Sequence, residues 1–305
     1  MKMEKDKIII ITGATGSGKS KFAVELAKEI NGVVINADSM QIYKQIPIIS
    51  AQPSVKSMQN INHYLYGFVD IFDLNDAYSV GRYLDDLRNV VKKIKYNDAG
   101  KTPIIVGGTM LYIDAIINGL SKIPEVKKDV KEYVEHKFSQ KSTSEIFDEL
   151  KKIDEKYAEV VDKNNPQRLI RAIEVKLSTG MSIMDFWQLS KEIPIFCEYE
   201  MQKMIIDIQR DVLYERINNR FDEMIKNGAL NEALIVYENC IKNGIDCRKL
   251  PKAIGLHEFF DFFEEKTSLE MAISNAKQYS RNYAKRQLTW FRRRFKDFAK
   301  VNINF

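Results

Sequence analysis

Short apolar runs and helical stripes alternate along the first half of the chain. Ile8-Ile9-Ile10-Ile11 is one continuous run, Val33-Val34-Ile35 a second and Pro103-Ile104-Ile105-Val106 a third. Each is too short for a helix and apolar on both faces, the pattern of a strand buried inside a parallel sheet. Between the runs the period changes. Phe22, Leu26 and Ile30, with Val24 and Ala27, recur at helical spacing, and Gly32 is placed to end that helix. Leu111, Ala115 and Ile116 mark another helix after the third run. Strands alternating with helices predict a parallel sheet with right-handed crossovers, a three-layer α/β core.

From Ser121 the pattern becomes helical throughout. Val126, Val130, Tyr133, Val134 and Phe138 form one stripe, and Ile146, Leu150, Ile153 and Tyr157 a second, with Lys, Glu and Asp between them. Ser142-Thr143-Ser144-Glu145 reads as a capping box. Asn165-Pro166 opens a further helix as N-cap and first residue, and Gly180 closes it. Residues 121–200 are therefore expected to form an all-helical insertion, with residues 1–120 and 201–305 as the α/β core and a helical C-terminal region. Met204 to Ile208 predicts a strand that returns to the sheet. Leu213 and Ile217 mark a helix that also carries Arg210, Arg216 and Arg220. Thr267-Ser268-Leu269-Glu270 reads as the capping box of a last helix. On that helix Tyr279, Tyr283, Trp290 and Phe298 fall near one face, read as core, and basic residues cover the rest.

Composition narrows the class. The chain has 305 residues, 45% hydrophobic and 29% charged, which are ordinary globular values. No apolar run is long enough to span a bilayer, and the Ile8–Ile11 run is too short for a signal peptide's apolar region, so a cytoplasmic protein is expected. Cys197, Cys240 and Cys247 lack zinc-ligand spacing and read as inert thiols. The net charge of +5 is modest, but its distribution is not: from Lys277 to Lys300 Asp297 is the sole acid. Such a stripe suits an RNA backbone. No heptad seam is evident, and a monomer is expected.

The candidate chemistry begins directly after the first apolar run. Gly13-Ala14-Thr15-Gly16-Ser17-Gly18-Lys19-Ser20 fits GxxxxGK[ST], with a strand before it and a helix after. Glycines let backbone N–H groups turn in on an anion, and the helix N-terminus adds partial positive charge. Lys19 can reach a terminal phosphate, and Ser20 can hold Mg²⁺. Asp38 and Ser39 follow the second strand, where ligands sit in open α/β sheets. Asp38 can serve as Mg²⁺ ligand, as general base, or with Ser39 as a helix cap. Thr109 follows Gly107-Gly108, a pair that permits close approach of a ligand; its alternative role is an N-cap. One of Arg210, Arg216 and Arg220 can stabilise a departing diphosphate. The loop specifies a polyphosphate and leaves open which one.

Taken in order, GATGSGKS, NADSMQIYK, VGGTMLY, NPQRLIRAIE, LYERINNRF and RQLTWFR resemble the bacterial tRNA dimethylallyltransferases, also called tRNA isopentenyltransferases, over nearly the whole chain. Ala14 and Gly16 stand where that family usually has proline and alanine, and Leu256-His257 replaces its usual tyrosine and basic residue. The resemblance implies a P-loop NTPase-like parallel sheet core with an inserted all-helical domain. It implies Mg²⁺-dependent transfer of a dimethylallyl group from dimethylallyl diphosphate to N6 of the adenine 3′-adjacent to the anticodon, in tRNAs reading codons that begin with U. Asp38 would then be the base, Thr109 would orient base and diphosphate, and Arg210 would meet the diphosphate. The tRNA anticodon stem-loop would be met by Asp38, Ser39, Met40 and Gln41, by Gln167, Arg168, Leu169, Ile170 and Arg171, and by Lys252 to His257, including Gly255. Two kinds of rival share the loop. One is an enzyme acting on small molecules, either a kinase or an adenylate isopentenyltransferase. The other is a nucleotide-driven RNA-binding protein without catalysis.

Overall fold

The computed structural model describes residues 6–74, 78–97, 100–189 and 194–303. In chain order its elements are β1 (Lys7–Thr12), α1 (Lys19–Glu29), β2 (Gly32–Asn36), α2 (Val55–Met58), β3 (His63–Tyr64), α3 (Val80–Asn97), β4 (Thr102–Gly107) and α4 (Met110–Asn118). Then come five helices, α5 (Lys128–Phe138), α6 (Thr143–Ile153), α7 (Glu155–Ala158), α8 (Pro166–Thr179) and α9 (Ile183–Leu189). They are followed by β5 (Glu200–Asp207), α10 (Arg210–Lys226), α11 (Ala229–Lys242), α12 (Leu256–Phe263), α13 (Leu269–Arg294) and β6 (Ala299–Asn302). The chain forms two compact units, one of residues 1–117 and 195–305, the other of residues 118–194.

The first unit holds one six-stranded sheet in the order β3-β2-β4-β1-β5-β6. All five pairings are parallel. The three apolar runs occupy its centre: Ile8, Ile10, Ile11, Ile35, Ile104 and Ile105 have no solvent exposure. Central parallel strands are covered on both faces, which is why these runs are continuous rather than alternating. Two edge strands carry no such run. β3 is two residues long, and β6 comes from the basic tail, where Lys300 pairs with Asp207 of β5 at 3.3 Å.

Several local expectations need correction. Helix α1 ends before Gly32, at Ile30, and it is Asn31 that takes the left-handed turn at φ 52°. Gly32 already belongs to β2, where an added Cβ would lie 2.7 Å from the Ile104 side chain. The last helix is capped by Ser268, whose hydroxyl accepts from the Met271 N–H, so Thr267 and Glu270 form no box. Its buried face is made of Ala272, Ala276, Ser280, Ala284, Gln287 and Phe291, not of the expected aromatic stripe. Tyr279 is exposed, and Phe298 lies beyond the helix end. Small residues on that stripe let α13 approach its neighbours closely.

The second unit has its own apolar core from α5, α6, α7, α8 and α9, with Val134, Leu150, Leu169, Ala172 and Val175 fully buried. The box of Ser142 and Glu145 is present. Asn165 caps α8 with Pro166 behind it, and Gly180 closes that helix at φ 76°. The expected boundaries at 120/121 and 200/201 compare with 117/118 and 194/195 here, because residues 195–200 lead into β5.

Candidate active site

Residues Gly13 to Ser20 turn from the C-terminal end of β1 into the first turn of α1. The turn needs left-handed backbone at Gly16, φ 81°, and Gly18, φ 91°, which only glycine adopts without strain. Lys19 folds back toward the loop, its Nζ 3.5 Å from the Ala14 carbonyl. Lys19 and Ser20 line a cavity of about 560 Å³, together with Gly16, Gly18, Arg216 and Arg220. Its other walls come from the segments around Gln52, Pro53, His63 and Tyr66.

A second cavity of about 290 Å³ is lined by Thr15, Asp38, Ser39, Arg220, Tyr283 and Arg286, among others. Arg220 faces both cavities, and its Nη2 donates to the Thr15 hydroxyl at 2.7 Å. Asp38 stands just beyond β2. Buried Asn36 holds it there: Asn36 Oδ1 accepts from the Asp38 N–H at 2.8 Å, and Asn36 Nδ2 donates to the Asp38 carbonyl at 2.9 Å and to the Leu65 carbonyl at 2.9 Å. Asp38 Oδ1 accepts from the Met40 N–H at 3.0 Å, a turn rather than a helix cap, since no helix begins there. Thr109 does not cap α4 with its side chain. Its Oγ1 accepts from the Ser39 N–H at 2.9 Å and donates to the Ser39 hydroxyl at 3.2 Å, joining the loop after β4 to the loop after β2. The two glycines before it admit protein rather than ligand. A Cβ on Gly107 would lie 2.0 Å from the Ala37 carbonyl oxygen, and one on Gly108 2.6 Å from the Gln287 amide.

The electrostatics follow from burial of unlike charges together. Burial lowers the Lys19 pKa to about 8, with Arg220 adding to the drop and Asp38 opposing it. Burial lowers the Arg220 pKa as well, again against Asp38. Tyr66 and Tyr283 are pushed up by burial and by the negative charge of Asp38. Arg220 Nε and Ser17 Oγ are buried with no protein partner. Buried donors of this kind ask for an acceptor, and two cations at a glycine-rich loop fit a polyanion. A metal finds less. Among the described residues no group of three or more His, Cys, Asp or Glu is placed to hold one. Ser20 offers one hydroxyl at the cavity wall, which fits an ion held mainly by phosphate oxygens and water.

Not every expected residue joins the site. Asp38, Ser39, Met40 and Lys252 line the second cavity, and Thr109 stands behind Ser39. Arg210 lines neither cavity; it is the exposed first residue of α10, with its guanidinium 6.0 Å from the Tyr214 ring. The arginine beside the loop is Arg220, further along the same helix and turned inward. Gln41 points its amide inward, donating to the Ser50 and Ala51 carbonyls at 3.0 and 2.7 Å. Leu169 is fully buried in the second unit's core and Ile170 packs against that core, so this helix offers Gln167 and Arg168 to solvent instead. Arg171 is half-buried with its guanidinium 3.5 Å from Glu174. Gly255 is buried, and its N–H donates to Glu258 at 2.6 Å. Leu169 and Gly255 thus present no exposed surface in this fold.

Two buried polar side chains that join loops at the site were given no role by the sequence expectations. Glu232 on α11 accepts from the Ile48 and Ile49 N–H groups at 2.9 and 2.8 Å. Burial raises its pKa while these amides pull it back. Gln287 on α13 reaches Thr15 and Gly108. Both lie on buried helical stripes, Glu232 with Ala229, Ala233, Val236 and Cys240, so a polar residue at an apolar phase was the available signal.

The parallel sheet with its phosphate-type loop, and the two cavities that meet at Arg220, place the protein in the class of α/β enzymes with a P-loop NTPase-like core. Residues 41–294 match the family model described as IPP transferase. A tRNA dimethylallyltransferase of Pelagibacter ubique is 39% identical over 303 residues, covering 98% of this chain and 92% of its own. One from Rickettsia felis is 36% identical, covering 97% of this chain and 93% of its own. The chain belongs to the IPP transferase family. Its fold is similar to that of the full-length tRNA isopentenylpyrophosphate transferase of Bacillus halodurans, at TM-score 0.67 and 34% identity over 99% of this chain and 92% of that one. It is also similar to a eukaryotic dimethylallyltransferase solved acting on tRNA, at TM-score 0.79 and 28% identity over 97% of this chain and 74% of that one.

Proposed function

We propose that the protein transfers a dimethylallyl group from dimethylallyl diphosphate to N6 of the adenine 3′-adjacent to the anticodon of tRNA. Membership of a family whose relatives are named for this reaction supports the reading. The single structural observation that carries it is the pair of cavities meeting at Arg220. One is walled by the phosphate loop and suits the diphosphate; the other is walled by Asp38 and suits the acceptor base.

Adenine N6 is a weak nucleophile because its lone pair is delocalised into the ring. The N6–C1 bond forms as the allylic C1–O bond breaks. The departing diphosphate takes the bonding electron pair, and the N6 proton passes to a carboxylate oxygen of Asp38. Lys19, Arg220 and the loop N–H groups stabilise the charge that grows on the leaving oxygen. Mg²⁺, held by the Ser20 hydroxyl, would supply further neutralisation of the diphosphate. Thr109 fixes the Ser39 backbone, and so the loop that carries Asp38. The target base has to leave the anticodon-loop stack to reach Asp38, a smaller cost in a loop than in a duplex. Gln167, Arg168, Lys252 and the basic residues of α13 such as Lys285 and Arg292 are exposed, and to these we assign contacts with RNA phosphates.

Among the described residues no helix is long and apolar enough to cross a membrane. We place the reaction in the cytoplasm, with the protein acting as a monomer. The test combines the protein, MgCl₂, dimethylallyl diphosphate and an unmodified anticodon stem-loop, with mass spectrometry of the RNA. One prenyl mass added on the adenine beside the anticodon is the expected result. Unmodified RNA with prenylated free adenine nucleotide, or steady ATP turnover instead, would overturn it.

A further inference from the structure

Gln287 lies near the C-terminal end of α13, yet it touches the loops at the other end of the sequence. It is fully buried. Its Oε1 accepts from the Thr15 N–H at 2.8 Å and its Nε2 donates to the Gly108 carbonyl at 2.7 Å. One turn earlier on the helix, Tyr283 lines the cavity that holds Asp38 and Ser39. Thr109 holds the Ser39 N–H. The last helix is thus tied to the loops that follow β1 and β4, and the second of these holds the loop after β2 through Thr109.

The residue type is dictated by this place. A single terminal group has to accept from one loop and donate to another, and a side-chain amide does both without charge, from two separate atoms. Glutamate offers no donor to Gly108 when ionised, and methionine or leucine would leave the Thr15 N–H and Gly108 carbonyl unpaired. The Thr15 N–H is also removed from the set that an incoming anion can use. The loop is therefore fixed at Thr15 by protein contacts alone, with the Lys19 and Gly18 side of the loop left open to the cavity.

We propose that Gln287 is a positioning residue: it sets the phosphate loop and the Gly107–Thr109 loop in one register, and so fixes the diphosphate relative to the Asp38 loop. The proposal rests on the reading of the loop as the diphosphate site. Its tests therefore include two that need no transfer reaction. In the unliganded wild-type protein the Thr15 amide is expected to exchange slowly with deuterium; rapid exchange would overturn the proposal. Gln287→Met is expected to weaken binding of inorganic diphosphate with MgCl₂ by about tenfold or more. In the prenyl-transfer assay the same variant is expected to raise KM for dimethylallyl diphosphate and lower kcat, leaving KM for the stem-loop within about threefold of wild type.

Phe291→Leu supplies the comparison. It trims a buried residue on the same helical face that stacks on Phe295 rather than on the loops. It is expected to lower Tm while leaving the diphosphate parameters unchanged. Equal losses of diphosphate affinity in the two variants would reduce Gln287 to a packing residue and overturn the proposal. Wild-type protein that binds diphosphate and protects Thr15, but prenylates no RNA, would instead overturn the assigned reaction and leave Gln287 in its place.

Discussion

Asp38 carries the largest chemical expectation of any single residue. Its backbone is fixed by Asn36 and one carboxylate oxygen by the Met40 N–H, so replacement by asparagine preserves the turn. Asp38→Asn is expected to lower kcat by about 10²–10⁴-fold, the range for loss of a general base. Affinity for the stem-loop, measured by filter binding, is expected to stay near wild type. A variant that instead loses RNA affinity and keeps kcat would remove the base role. Arg220 shows why residue-level reading of the sequence stopped short. Three arginines share one helix, and their spacing does not say which turns inward. Burial against Thr15 and Asp38 selects Arg220, while Arg210 stays in solvent.

At the scale of single elements, helix α8 separates stability from binding. Leu169 is fully inside the second unit's core and Arg168, its neighbour in sequence, is exposed. Leu169→Ala is expected to cost about 2–5 kcal/mol of that unit's stability. Arg168→Ala is expected to change stability by no more than about 0.5 kcal/mol and to weaken RNA binding in a salt-dependent way. Denaturant melts followed by RNA titrations distinguish them; an Arg168 variant with unchanged RNA affinity would take this helix out of the interface. Helix α11 bears on the site through Glu232, whose carboxylate caps two amides of the segment that lines both cavities. Glu232→Ala is expected to cost about 1–3 kcal/mol for each amide left unpaired, seen as a lower urea midpoint. An unchanged midpoint would mean that water replaces the carboxylate at no cost.

Across the whole molecule the charge distribution sets the partner. The exposed face of α13 and its flank carry Lys285, Arg286, Arg292, Arg293 and Lys296, while Arg294 is paired with Asp114. Binding of the stem-loop is expected to weaken linearly in log–log terms as salt rises. Removing one phosphate-contacting cation, as in Arg292→Ala, should reduce that slope by roughly 0.7–0.9. Fluorescence anisotropy across a KCl series reads it directly, and a slope unchanged by the substitution would place the RNA elsewhere.

The sequence by itself determined the central strands, the phosphate-type loop, the caps of α6 and α8, and the division into a core and a helical segment. These depend on local properties: continuous apolar runs, glycine at left-handed turns, side-chain oxygens beside free N–H groups. Tertiary structure alone decided which arginine faces the loop, that Leu169 and Gly255 are buried, that Gly107 and Gly108 make room for protein atoms, and that Gln287 joins the loops after β1 and β4. Each of these is a meeting of groups far apart in the chain, Thr15 with Gln287 being an example. Local periodicity fixes the phase of a helix but not its partner across the fold. A buried polar residue on an apolar stripe marks that a partner exists, and only the packed molecule names it.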